Sequence, residues 1–358
     1  MIVTANRIWS PLAALLLPLM VSCAPTGPVT VQPAPAHYDA VVDARFTGGD
    51  GDRVGGEATY RTIARALDAA PESSPTTFVI FIRNGRYHEK LSVDKANITL
   101  RGESRDGVVL TFDAHADTPR PDGGTFGTRG SFTLRVAAPG FHAERLTIEN
   151  AFDYRGNATK SATDPTKSRN PQAVALLLDR GSDRARITDC VISGWQDTLF
   201  ADAGRAWFHG CIILGQVDFI FGAGTVVFDD CDVVSRGAGY ITAPSTPPLQ
   251  LYGFVFLESR LGRETDRVKA NTVALGRPWH PSSNPNVNPS AVFIDCNLDD
   301  HILVEGWAPM GGNAPETARF FEYRDHGVGA VSSPSRRLLN DAESARYAVR
   351  EVLGGWTP

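Results

Sequence analysis

Two short stretches of the chain place carboxylates where they could act together. Residues 190–200 read CVISGWQDTLF and residues 211–221 read CIILGQVDFIF. Both begin with Cys and carry Ile third, Gly fifth, Asp eighth and Phe eleventh, so Asp197 and Asp218 occupy one point of a frame repeated 21 residues apart. If the frame marks neighbouring strands of one sheet, both side chains leave it on the same side, ~4.8 Å apart. Two carboxylates that close resist joint ionisation. One keeps its proton, and a nearby cation holds the other ionised. An acid beside a carboxylate base or nucleophile is a working pair for acyl or glycosyl transfer. A polar ladder on a solvated face would show the same two Asp. The neighbours Trp195, Phe200, Phe219 and Phe221 tip the reading towards chemistry, because unpaired charge is costly among aromatic rings and sugar rings pack on such faces. LGRPW, residues 275–279, adds Arg277 and Trp279, a cation and a flat face.

The elements that must hold this pair are short and repetitive. From Val79 onward, β-branched and aromatic runs such as FVIFIRNG, SFTLRV, RARITDCVISG and SAVFIDC return every ~20–25 residues, with little helix between them. Sandwiches and barrels reverse through hairpins and need no in-register repeat. A right-handed parallel β-helix does need one, because each coil lays its strands on the coil before. The expected fold is therefore all-β, a β-helix with capping helices at its ends. Tyr60 to Ala70 reads as an N-terminal capping helix closed by Pro71. Asn340 to Leu353, with Glu343 completing a capping box, reads as a C-terminal one ending at Gly354-Gly355.

Cys190, Cys211 and Cys231 fall at one coil position, and rungs ~4.8 Å apart lie within the Cα–Cα range of a disulfide. A Cys211–Cys231 bond is the first choice and Cys190–Cys211 the second; three reduced core cysteines fit the spacing too. Cys296 is expected to be free.

Charge and composition narrow the partners. The 358 residues carry a net charge of -5, which gives no electrostatic case for nucleic acid. The N-terminus reads as an export signal: Arg7, an apolar run from Ile8 to Val21, then Met20-Val21-Ser22-Cys23 in the manner of a lipoprotein box with Cys23 lipidated. Residues 24–37, with four prolines, read as a tether, and 38–358 as one domain. The protein is expected to be exported, secreted or anchored to the outer membrane through lipid, and monomeric. Its eight His show no metal-ligand spacing, so neither metal nor cofactor is expected, and no G-x-S-x-G elbow marks a serine esterase.

Five motifs carry a family resemblance: GRYHEK (85–90), QAVAL (172–176), GWQDTL (194–199), GQVDFIFG (215–222) and LGRPW (275–279). In this order they resemble the signatures of the pectin methylesterases, carbohydrate esterase family 8, closest to the secreted enzymes of plant-pathogenic bacteria. The likeness runs from Tyr38 to the terminal GGWTP. It departs at Trp195, where the family usually has Tyr, and at Gln216, where Thr is common. The resemblance implies a methyl-esterified pectin substrate, with Asp218 as nucleophile, Asp197 as general acid and then base, Gln172 and Gln196 as oxyanion donors and Arg277 orienting Asp218. It also implies substrate contacts at Thr133, Gln172, Phe221, Arg277 and Trp279, and more weakly at Val217, Ser282 and Met310. Tyr87 and Glu89 read as structural. An ideal strand would send Gln196 and Asp197 to opposite faces, so a bend must bring both to one cleft.

Other functions would use a similar solenoid differently. A polysaccharide lyase or hydrolase would shorten the chain, and a calcium-dependent lyase would need an acidic cluster that the apolar surroundings of Asp197 and Asp218 do not provide. A non-catalytic glycan-binding lipoprotein would need no acid pair. An esterase-like protein acting on another acyl group, such as a thioester, could use the same residues.

Overall fold

The computed structural model describes residues 37–358. The expected export signal, Cys23 with its expected lipid and nearly all of the expected tether lie outside the described residues.

Strand follows strand around a coil, and each pairs in parallel with its counterpart one turn away. One sheet holds 12 strands, of which only Asp52–Val54 runs antiparallel to its neighbour. A second set of 13 strands wraps the other two sides. Two long strands, Ile212–Gly222 and Asp232–Pro244, cross both of these sides, and register shifts between Gly215 and Ile220 mark the corner. This is the expected parallel β-helix.

Turning from the first sheet into the second takes one residue per coil. Asp189, Asp230, Glu258 and Asp295 all adopt positive φ there, between 48° and 54°, and Gly210 does the same at 60°. Asp tolerates this left-handed conformation better than most residues, because its short side chain bonds locally. The residue after each corner points inward. Register therefore stacks Cys190, Cys211, Cys231, Ser259 and Cys296 in one buried column. A second internal ladder runs Phe208, Phe228, Phe256 and Phe293, with ring centroids 5.1, 4.4 and 4.4 Å apart. Each such pair contributes ~0.5–1.5 kcal/mol beyond the area it buries.

Three expectations need correction. The Cys211–Cys231 bond is not formed, and all four described cysteines are free thiols. In-register parallel rungs hold Cβ atoms ~4.8 Å apart, wider than the ~3.8 Å a disulfide prefers, although the Cα spacing suits one. Cys296, which the spacing left outside the column, belongs to it. The C-terminal segment is not one helix: Asp341–Ser344 and Val349–Val352 are separate turns, interrupted by extended backbone at Ala348. Nor does it cap the solenoid's end. The break lets Tyr347, Val352 and Leu353 lie along the outer face of the 12-stranded sheet, against Val227, Tyr252 and Val255. The Asn340–Glu343 capping box is present.

At the N-terminal end the short helix Ile63–Ala69 turns Ile63, Ala66 and Leu67 into the core. Glu89 accepts from the backbone N–H groups of Ile63 and Ala64 at 3.0 and 2.9 Å, a carboxylate on a helix N-terminus. The buried Tyr87 hydroxyl donates to the Arg83 carbonyl at 2.8 Å. Both residues hold the fold together, as their motif suggested.

Candidate active site

The repeated frame makes sense as a corner. Cys and Ile at its first and third positions point into the core. Gly is required at the fifth because the chain folds back over it. A Cβ on Gly215 would lie 2.1 Å from the Phe219 Cβ, and one on Gly194 would lie 2.7 Å from the Thr198 hydroxyl. The eighth position is the bend itself, where Asp197 and Asp218 adopt φ of 62° and 49°. The left-handed turn breaks strand alternation, which lets Gln196 and Asp197 line the same cleft. The eleventh position then faces out beside the acids, where Phe200 stacks on Phe221 at 4.1 Å.

The cleft has a volume of about 510 Å³. Gln172, Gln196, Asp197, Asp218, Phe221, Arg277, Trp279 and Met310 line it, as do Thr128, Arg129, Phe200 and Ala243. Arg277 grips Asp218 with two parallel bonds, Nε to Oδ1 at 2.8 Å and Nη2 to Oδ2 at 2.5 Å. Its guanidinium also lies 3.8 Å from the centre of the Tyr240 ring. The Asp197 carboxyl is buried without such a grip. The Gln172 side-chain oxygen is buried with no hydrogen-bond partner among the described residues.

Electrostatics separate the two acids. Burial pushes Asp197 far above the usual carboxylate range; the Asp218 charge adds to this and Arg277 partly offsets it. Burial also raises Asp218, but there the hydrogen bonds and charge of Arg277 oppose it more directly. Arg277 lowers Asp218, as a nearby cation should, but desolvation outweighs the guanidinium and the net shift is upward. The order of the pair stands. Asp197 keeps the proton and Asp218 loses it first.

Not every expected residue reaches the cleft. Thr133 is fully buried, and its hydroxyl donates to the Glu149 carbonyl at 2.8 Å, away from the site. Ser282 lies in an exposed turn and Val217 sits beside the dyad between Gln196 and Tyr240; neither lines the cleft. Thr128, which was not expected, lines the cleft. Phe200 was recoverable from the repeat, but Ala243 was not: counting from Cys231 points to Ile241, and a register shift moves Ala243 over Phe221. Thr128 and Arg129 come from a short helical turn, Gly127–Gly130, outside the repeat and gave no such signal.

Comparison with known proteins gives the chain a family. The pectinesterase family model matches residues 53–355. The chain belongs to the pectinesterase family. It is 42% identical to Pectinesterase A of Dickeya chrysanthemi over 351 residues, covering 91% of this chain and 93% of that protein. It is 34% identical to a pectinesterase of Daucus carota, over 78% of this chain and 82% of that one. Among solved structures, a pectin methylesterase from Erwinia chrysanthemi superposes with a TM-score of 0.83 at 43% identity, covering 90% and 98% of the two chains. A pectin methylesterase in complex with a hexasaccharide superposes at 0.82 and 41% identity, with the same coverage. This pectinesterase-family chain is a carboxylic ester hydrolase.

Proposed function

We propose that the protein hydrolyses the C6 methyl esters of pectin, giving de-esterified pectate and methanol without metal or cofactor. The observation that carries this reading is the unequal carboxyl pair: Asp218 in the two-pronged grip of Arg277 and Asp197 buried beside it without such a partner, in an aromatic-walled cleft.

The Asp218 carboxylate attacks the ester carbonyl carbon, and the carbonyl electron pair moves onto oxygen. Gln172 and Gln196 donate amide N–H to this oxyanion, each such donor contributing ~3 kcal/mol. Collapse breaks the bond to the methoxy oxygen, which takes the Asp197 proton and leaves as methanol. The product is an acyl anhydride on Asp218. Water then attacks the same carbon while Asp197, now a carboxylate, takes its proton. Collapse frees the galacturonate carboxyl group and restores both side chains. Trp279, Phe221 and Phe200 offer flat faces to the sugar rings, and Met310 borders the ester. Methanol release and chain length measured together, on highly methylated pectin with a chelator present, test the reading. Methanol should appear without shortening of the chain; shortening, or loss of activity to the chelator, would overturn it.

The export reading is carried by Arg7, the apolar run and Met20-Val21-Ser22-Cys23. Membrane partition and fatty-acid labelling lost in Cys23→Ser are its expected result. Wholly soluble, unlabelled wild-type protein would remove the anchor and leave the enzyme untouched.

A further inference from the structure

Behind the cleft wall stands a cation that no carboxylate answers. Lys90 closes the GRYHEK motif, whose Tyr87 and Glu89 already have structural tasks. Its half-buried ammonium group donates to the Gly130 and Phe132 carbonyls at 2.5 and 2.6 Å. The same group lies 3.4, 4.9 and 5.7 Å from the ring centres of Phe132, Phe126 and Phe112. The charged groups on the elements around it are engaged with others. His88 faces Asp113, Glu89 holds the helix N-terminus, Glu149 pairs with Arg86, and Arg129 pairs with Asp179 and Asp202. Two carbonyls and three aromatic rings are what compensates the Lys90 charge among the described residues.

What Lys90 grips belongs to the cleft. Gly130 ends the turn Gly127–Gly130, which brings Thr128 and Arg129 to the lining. Phe132 packs against the apolar cluster that holds Phe200, Phe221 and Ala243, all three of which line the cleft. Asp197, Asp218 and Arg277 come from other elements of the solenoid.

We propose that Lys90 is a positioning residue: its ammonium group clamps the Gly127–Gly130 turn and Phe132, and so fixes the wall on which the sugar rings of the substrate lie. This rests on the pectin reading above. The clamp needs its charge. Burial pushes the Lys90 ammonium down to about 7, so the clamp is complete below that pH and loosens as the neutral amine forms above it. The amine keeps N–H donors but loses the charge that strengthens the carbonyl bonds and the ring contacts.

The test measures kcat and KM for methanol release from methyl-esterified pectin, from about pH 6 to about pH 8, in wild type and Lys90→Met. Methionine keeps the apolar body of the side chain and removes both donors and charge. At the acid end KM should rise about tenfold in Lys90→Met, with kcat changed by less than about twofold. The wild-type KM should climb towards that of the variant as pH passes about 7, while the variant's KM stays flat. An unchanged KM in Lys90→Met, or a fall in kcat at constant KM, would make Lys90 structural only and overturn the clamp. If Lys90→Met does not fold, the wild-type climb decides alone, and a flat wild-type KM overturns the clamp. Wild type that releases no methanol overturns the pectin reading instead.

Discussion

At the scale of single residues, the site depends on which acid holds the proton. Activity needs Asp218 ionised and Asp197 protonated, so it should fall as pH drops through the first titration and again as pH rises through the second. Arg277→Ala removes the only effect named here that lowers Asp218, so its acid limb should move to higher pH and narrow the working window. Arg277→Lys should restore part of the shift, since it keeps the charge but loses the two-pronged grip. A kcat/KM profile with an unmoved acid limb in Arg277→Ala would contradict this. Gln172→Ala should lower kcat by ~10²–10³ with little change in KM, the signature of a donor that works mainly in the transition state. A change confined to KM would make Gln172 a substrate-binding residue only.

At the scale of the elements, the corner is what converts a strand repeat into a dyad. Gly215→Ala drives a methyl into the Phe219 Cβ, which cannot move away without moving the strand, so it should cost ~1–3 kcal/mol. Gly194→Ala meets the smaller, more adaptable Thr198 side chain and should cost less. Denaturant unfolding of both variants checks the order, and equal stability would remove the corner argument. The same corners explain what could be read from the chain. Asp197, Asp218 and the column of Cys190, Cys211 and Cys231 were legible because coils of 20 and 21 residues keep their register visible. Cys296 was not, because the later coils lengthen as loops leave the solenoid, which hides the stacking of Cys231, Ser259 and Cys296. The disulfide was over-read, since Cα spacing says nothing about parallel Cβ vectors. The inward position of Thr133 was not legible, because the resemblance implied it without any of the five motifs containing it. The broken C-terminal helix was hidden because its apolar residues face the side of a sheet, a partner that helical periodicity does not identify.

At the scale of the whole molecule, the last coil is closed by charge. Glu322 and Arg336 pair in full burial at that end. Asp325 beside them is pushed up to about 8, chiefly by burial, while its bond from the Cys296 N–H opposes the rise and the Glu322 charge adds to it. A carboxyl with a raised folded-state pKa contributes stability that is full below its unfolded pKa of ~4 and is lost as pH rises towards about 8. Asp325→Asn should therefore raise Tm at neutral pH by several degrees and flatten its decline with pH. A lower Tm across the whole range would show that the ionised form is needed. The free thiols make a second global prediction: Cys190, Cys211, Cys231 and Cys296 should resist a thiol reagent in the folded protein and all react on unfolding. A Cys211–Cys231 bond in peptide maps of the purified protein would contradict the structure.

The central claim is that Asp218 forms the acyl-enzyme and Asp197 moves the proton, and rapid-quench kinetics test both at once. The measurement follows alcohol released in the first turnover from a galacturonate ester with a good leaving group. A leaving group that needs little protonation bypasses the first task of Asp197 but not the second. Asp197→Ala should give a burst of about one equivalent per enzyme, then stall with the acyl group on Asp218, whereas Asp218→Ala should give no burst. Near-wild-type release by both variants would contradict the account, and would leave the repeated carboxylates as a structural ladder.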